Sequence, residues 1–246
     1  MKKPQVDELL YQALETELGG VEIYRAAIEC ADNDELREEW EEYGRQTEQH
    51  VRIVRGVLEE LGLDPERETP GRRVVRMKGQ SLVEAMRMAK QEGPPEAAQL
   101  VAAECVVDAE TKDHQNWHLI GEIAKKAPAS AKRALQEAYD QVEDQEDEHL
   151  YHTKGWAREL WLDSLGLPAE LPPPEEEEDV ESELEEALIN EERKAEPAEQ
   201  ERVARAEKGK SGGRSAPSRA ASSRRGETAP GQDRGRGKSR RRPSEA

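Results

Sequence analysis

The sequence contains no phenylalanine, only 4% aromatic residues and only two cysteines in 246 residues. The cysteines, Cys30 and Cys105, are too few for a disulfide framework, and they are not spaced as a paired zinc motif. No apolar run approaches the ~18 residues that cross a bilayer, which argues against a membrane-spanning protein. Residues 1–10 have a basic start without an apolar core behind it, so no secretory signal is predicted. We therefore expect a cytoplasmic protein with no membrane partner.

Charge is abundant, but it is unevenly distributed along the chain. Asp and Glu number 55 against 37 Lys and Arg, which gives a net charge of −18. Residues 175–201 contain 14 acidic and 2 basic residues, whereas residues 208–242 contain 12 basic and 2 acidic residues. These two segments have too little apolar surface to form a packed core. We predict a folded domain over residues 1–170 and a disordered, charged tail over residues 171–246.

The first 170 residues carry apolar side chains at the three- and four-residue spacing of helices, and no alternating β-branched run typical of strands. Four long apolar stripes are present, over residues 10–28, 36–61, 100–124 and 135–160. A short turn at residues 32–34 separates the first two stripes, and Asp32 lies three residues before Glu35 as in a capping box. Pro128 separates the last two stripes, because proline cannot continue a helix. Each pair of stripes therefore predicts a helical hairpin.

The second and third stripes are separated by about 30 residues, from Gly62 to Pro95. A capping pattern from Ser81 to Glu84 predicts one short helix within this connection. Two helical hairpins joined by one long crossover form the ferritin-like variant of the four-helix bundle. We therefore predict an all-α fold, a ferritin-like antiparallel four-helix bundle whose crossover contains a short helix.

Polar residues interrupt every stripe near its centre: Glu17; Thr47 and His50; Glu110 and His114; Glu146 and His149. A buried carboxylate costs several kcal/mol unless it is paired, protonated or bound to a cation. The interruptions also lie at matching heights, since Glu17 and Thr47 are each 15 residues from Asp32. Three carboxylates and three imidazoles are thus expected to meet in the core. Such oxygen and nitrogen ligands suit iron or manganese, and zinc is possible.

This pattern resembles the ferritin-like di-iron carboxylate proteins, such as bacterioferritin and rubrerythrin, over about residues 7–163. Those proteins carry a Glu on the first and third helices and Glu-x-x-His on the second and fourth. The metal ligands implied by the resemblance are Glu17, His50, Glu110, Glu146 and His149, with Glu146 as the bridge. Thr47 stands where the second-helix Glu is expected, and three further residues are candidates to supply a ligand: Gln46, His114 and Glu143. The resemblance implies iron oxidation, or peroxide or oxygen chemistry, at a di-iron or mononuclear centre.

Other interpretations of the same residues remain open. The Glu and His residues could form a metal-free network of buried pairs, which would fix the helix register. The aromatic residues of the stripes, Tyr24 and Trp117 among them, are predicted to pack in the core rather than to take part in chemistry. His118 and His152 are predicted to lie beside the seams, either solvated or at helix interfaces.

The tail suggests a second class of function. The basic residues 208–242 could bind nucleic acid through its phosphates, although no aromatic residue is interleaved for base stacking. The alternative hypothesis is therefore a metal-free helical scaffold or adaptor whose charged tail binds partners or nucleic acid. A homodimer is expected under either hypothesis.

Overall fold

The structure is a computed structural model, and it describes residues 1–176. All regular structure in this range is helical, without a strand, as the apolar spacing predicts. The helices are α1 (Lys3–Cys30), α2 (Asp34–Glu60), α3 (Pro70–Glu92), α4 (Pro95–Lys126), α5 (Ala129–Tyr139) and α6 (Glu143–Ser164), followed by a 3₁₀ turn, Pro174–Glu176. None of these helices is long and apolar enough to cross a membrane. The predicted acidic and basic runs of the tail, beyond residue 176, lie outside the described residues.

Two apolar clusters fill the interior, and the polar interruptions lie between them. One cluster includes Tyr24 and Trp40, and the other includes Leu14 and Trp117. α1 contacts α2, α3 and α4, and α4 also contacts α5 and α6. α1, α2 and α4 each contribute residues to both clusters, so their central residues lie where the two clusters meet.

The start of α2 differs from the predicted cap by one residue. The side-chain oxygen of Asn33 accepts a hydrogen bond from the backbone N–H of Leu36 at 3.0 Å, so Asn33 rather than Asp32 is the N-cap. Both residue types serve this role, because a short side-chain oxygen can satisfy a free N–H of the first helical turn.

A long helix takes the place of the predicted short one between α2 and α4. α3 begins at Pro70, and the Thr69 hydroxyl accepts the backbone N–H of Arg72 at 3.1 Å. Ser81, the predicted cap, lies inside α3, and its hydroxyl donates to the carbonyl of Met77. The Thr-Pro pair is the operative start signal, since proline suits the first turn of a helix. Packing of α3 against α1 and α4 then stabilises its full length.

The predicted fourth helix is interrupted after Tyr139. The N–H of Val142 bonds to the carbonyl of Tyr139 at 3.0 Å, three residues back, and α6 begins at Glu143. Val142 is fully buried, so the apolar stripe continues across the break. Acidic residues fill the first turn of α6, where the helix dipole favours negative charge. As a result Glu146 lies in the first turn of a new helix rather than in the middle of a long one.

Contacts with α6 continue past residue 170, the predicted domain boundary. Arg158 of α6 donates to Glu175 at 2.8 Å, and the indole of Trp156 donates to Glu176 at 2.7 Å. These two carboxylates belong to the segment that the composition assigned to the disordered tail. Because their charges have partners on α6, the segment up to Glu176 lies against the helices.

Candidate metal centre

Five of the six predicted ligands meet where the two apolar clusters join: Glu17 of α1, His50 of α2, Glu110 of α4, and Glu146 and His149 of α6. None of these residues is more than 4% exposed. They form two groups, Glu17–His50–Glu146 and Glu110–Glu146–His149, and within each group the candidate ligand atoms lie within 4.8 Å of one another. Glu146 belongs to both groups, so its carboxylate is placed to bridge two ions.

The Nδ1 atoms of both histidines face carboxylate oxygens. His50 Nδ1 lies 3.0 Å from Glu146 Oε1 and 3.6 Å from Glu17 Oε2. His149 Nδ1 lies 3.7 Å from Glu110 Oε2 and 3.8 Å from Glu146 Oε1. Each histidine thus directs Nδ1 at two carboxylates. One belongs to its own group, Glu17 or Glu110, which are called the terminal carboxylates below. The other is Glu146, which the two groups share.

Two glutamines determine which nitrogen of each imidazole carries the proton. Gln145 Oε1 lies 2.8 Å from His50 Nε2, and Gln46 Oε1 lies 2.6 Å from His149 Nε2. An amide oxygen only accepts, so each Nε2 must donate its proton. In a neutral imidazole this leaves the lone pair on Nδ1, and such an outer hydrogen bond is the usual companion of a metal-bound histidine. Gln46, predicted as an extra ligand, instead positions His149.

Aromatic donors hold the outer oxygens of the two terminal carboxylates. The Tyr24 hydroxyl donates to Glu110 Oε1 at 2.7 Å, and the Trp117 indole donates to Glu17 Oε1, also at 2.7 Å. The second oxygen of each carboxylate is left to face an imidazole. Tyr24 and Trp117 are buried, as predicted, but they also orient the carboxylates, which the prediction of simple packing did not include.

The inward-facing atoms of the centre lack hydrogen bonds. Five have no such partner among residues 1–176: Glu17 Oε2, Glu110 Oε2, Glu146 Oε2, His50 Nδ1 and His149 Nδ1. An unsatisfied buried polar group costs about 1–3 kcal/mol, and more when it is charged. A neutral imidazole that donates from Nε2 presents Nδ1 as an acceptor to carboxylate acceptors, so the groups satisfy one another only if an added proton or a cation lies between them. A cation in each group would contact one ligand atom of each residue in that group.

Without a cation, the centre must hold protons. Burial raises the pKa of Glu146 well above its usual range, and the charge of Glu110 adds to this rise. Burial alone would lower the pKa of His50, but Glu146 and Glu17 outweigh it and raise the pKa to about 10. Metal ions that bind here would therefore displace protons.

A fourth buried carboxylate near the centre, Asp113, was missed in the sequence. It lies on α4 three residues after Glu110, and its Oδ1 has no hydrogen-bond partner among the described residues. Burial, then the charges of Glu17 and Glu146, raise its pKa well above the usual range. The spacing could have indicated it, because residues three apart share one helix face.

The structure does not bring His114 to the centre. Its Nε2 lies 2.8 Å from Asp147 Oδ1, and its side chain is 29% exposed. Successive residues of a helix are rotated by about 100°, so the buried position of Asp113 turns its neighbour outward. The prediction of His114 as a ligand is thus corrected: its imidazole contacts Asp147 at the edge of the helices. Glu143, the other candidate on α6, pairs with Tyr139.

Thr47 occupies the position of the expected second-helix carboxylate. It is buried, its hydroxyl donates to the backbone carbonyl of Tyr43 at 2.8 Å, and its methyl group lies against Gly20. α2 therefore contributes one imidazole and no carboxylate, which makes the centre asymmetric.

No protein-family model matches the chain, and no curated protein or solved structure is significantly similar to it. The geometry and chemistry of the five candidate ligands therefore carry the functional interpretation.

Proposed function

We propose that this chain is a ferritin-like metal-binding protein that holds two iron or manganese ions in its helical core. Glu17 and His50 would bind one ion, Glu110 and His149 the other, and Glu146 would bridge them. The observation that carries the proposal is the set of five buried ligand atoms without hydrogen-bond partners. Mixed carboxylate and imidazole donors suit iron and manganese, and zinc fits the same set.

The helix arrangement is compatible with a ferritin-like four-helix bundle. α1, α2, α4 and α6 supply all five ligands, and α1 and α2 form a hairpin joined to α4 by the long α3 connection. The α4–α6 pair corresponds to the second hairpin, with α5 inserted at its turn. In this proposal α3 and α5 are additions around a common four-helix frame.

The surrounding residues have defined tasks in this proposal. A bound pair of reduced ions would supply electrons to O₂ or peroxide. Gln145 and Gln46 accept the Nε2 protons and so direct the Nδ1 atoms at the ions. Tyr24 and Trp117 keep the inner carboxylate oxygens directed at the ions. Thr47 adds no charge, and its hydroxyl is occupied by the carbonyl of Tyr43, so α2 would hold an ion through His50 alone. Buried Asp113 is placed to hold a proton when the centre is empty of metal.

The test is elemental analysis of full-length protein purified from cells grown with added iron and manganese. The Glu146→Ala variant is expected to lose about two ions per chain relative to the wild type. His114→Ala is the matched control, and it should keep them, because His114 lies on the neighbouring turn but faces Asp147. A helical wild-type protein whose metal content equals that of Glu146→Ala would overturn the proposal.

The alternative, a metal-free adaptor acting through its tail, depends on residues 177–246, which lie outside the described residues. Homodimer formation and nucleic-acid binding through residues 208–242 remain predictions. Nothing in residues 1–176 favours them over the metal centre.

A further inference from the structure

A second carboxylate–imidazole cluster lies apart from the core centre. It consists of Glu39 of α2, His152 of α6 and Glu176 of the 3₁₀ turn, with one candidate ligand atom from each within 4.8 Å of the others. The side chains of Glu39 and His152 are 12% and 13% exposed, and that of Glu176 is 24% exposed. The cluster is thus sheltered but reachable from solvent, unlike the buried core centre.

The contacts within this cluster leave its negative charge only partly compensated. The Trp156 indole donates its single proton to both Glu39 Oε2, at 2.6 Å, and Glu176 Oε1, at 2.7 Å. His152 Nδ1 lies 3.6 Å from Glu176 Oε2 and 4.0 Å from Glu39 Oε1. Glu39 Oε1 is buried without a hydrogen-bond partner among the described residues. The two carboxylates therefore share one indole proton, and the other oxygen of Glu39 has no hydrogen bond.

No lysine or arginine of residues 1–176 forms an ion pair with either carboxylate. Burial, and then the neighbouring Glu176, accordingly raise the pKa of Glu39 to about 9. Two carboxylates this close must share a proton or bind a cation, because like charges at such a distance cannot both ionise alone. The imidazole beside them adds a nitrogen donor, which a site for calcium or magnesium would not require.

We propose that Glu39, His152 and Glu176 form a second site, which binds one divalent transition-metal ion. The ion fastens the segment that follows α6 to α2 and α6, because Glu176 is its only ligand from outside those two helices. Solvent completes the coordination shell on the exposed side. On binding, Tyr43 gives up the hydrogen bond that joins its hydroxyl to His152 Nδ1, now 2.7 Å long. Binding at this site does not require that the core centre be occupied.

The experiment uses the full chain with the core centre removed by Glu146→Ala and titrates it with Mn²⁺, followed by EPR and calorimetry. We expect one ion per chain to bind. Addition of Glu176→Gln or His152→Ala should weaken that binding at least tenfold. Glu175→Gln is the matched control on the same turn, and it should leave the affinity unchanged, because Glu175 pairs with Arg158.

Two results would overturn this second site: no Mn²⁺ bound by a helical Glu146→Ala protein, or an affinity that Glu176→Gln leaves unchanged. Neither result bears on the core centre, whose test is the difference in metal content between the wild type and Glu146→Ala. Circular dichroism of each variant shows that a lost ion is not a lost fold.

Discussion

The side-chain carbonyl of Gln145 accepts a hydrogen bond from Nε2 of His50 at 2.8 Å, across the space between α6 and α2. The reverse contact exists too, since Gln46 of α2 accepts from His149 of α6 at 2.6 Å. Each glutamine lies four residues before the histidine of its own helix. Each of the two helices therefore supplies a ligand of one proposed ion and the orienting group for the ligand of the other.

Replacement of Gln145 tests this cross-connection. Gln145→Leu removes the acceptor of His50 Nε2, so the imidazole is no longer held with Nδ1 directed at the ion. Metal affinity should fall about 10- to 100-fold, as for other outer-shell contacts, with little change in helix content. Calorimetric titration with Mn²⁺ measures the fall. Gln136→Leu, an exposed change on α5, is the control; equal affinities of the two variants would contradict the assigned role.

Two tyrosine variants test whether Tyr24 orients the carboxylate of Glu110 or only packs in the core. Tyr24→Phe removes the hydroxyl that holds Glu110, and it is expected to weaken the binding of one ion about tenfold. Tyr11→Phe is the control, because the Tyr11 hydroxyl is buried without a hydrogen-bond partner among the described residues. Stepwise Mn²⁺ titration of both variants would show whether the loss is confined to Tyr24→Phe. Equal binding by both variants would mean that Tyr24 only packs.

Metal binding should release protons. The pKa of His50 is raised to about 10 in the metal-free fold, above its ordinary value of about 6.5, so the proton contributes stability below pH ~6.5 that is lost as the pH rises through about 10. A metal must displace this proton at neutral pH, and the apparent affinity should therefore rise between pH 6 and 8. Calorimetry in buffers of different ionisation enthalpy counts the protons; a count of zero would exclude His50 as a ligand in the proposed state.

The contact of α3 with α1 gives a prediction for stability. Arg72 donates to the buried carboxylate of Glu15 at 2.8 Å, and Arg76 also binds it. Burial raises the pKa of Glu15, but Arg76 and then Arg72 outweigh burial and lower it. Arg72→Met leaves Glu15 with one partly exposed partner, which should cost roughly 3–5 kcal/mol in the free energy of unfolding.

Urea unfolding at two pH values checks this prediction. Because the pKa of Glu15 is lowered, the stabilisation by the pair is present above the ordinary pKa of about 4.3 and is lost as the pH falls through the folded-state pKa. The difference between wild type and Arg72→Met should thus be large at pH 7 and small well below pH 4. Arg73→Met, on an exposed position of α3, should have little effect; a similar loss in both variants would argue against the buried pair.

The sequence was sufficient to bring five of the candidate ligands together in the core, but not to predict the groups that orient them. Apolar spacing fixed the face of each helix, so Glu17, His50 and Glu146 could be placed in the core. Asp113 and His114 are adjacent, so they differ by about 100° of rotation around the helix. The apolar stripe alone did not predict which of the two side chains faces the core. Gln145 could not be predicted, because its role depends on a contact with another helix.

The predicted helix boundaries are wrong in two places. Ser81-x-x-Glu84 fits a capping box, yet the N-cap of α3 is Thr69, twelve residues earlier, because packing against α1 and α4 stabilises the longer helix. The break after Tyr139 keeps Val142 buried, so the apolar spacing is nearly the same with or without it. Spacing therefore predicted which residues are buried better than it predicted where the helices end.

The most direct measurement is anomalous diffraction from crystals of the full-length protein grown with Mn²⁺ and collected on both sides of the manganese edge. We expect two peaks in the helical core, one beside His50 Nδ1 and the other beside His149 Nδ1, with the carboxylate of Glu146 between them. A core without anomalous density, in which protonated Glu146 and His50 fill the same space, would contradict the proposed metal centre.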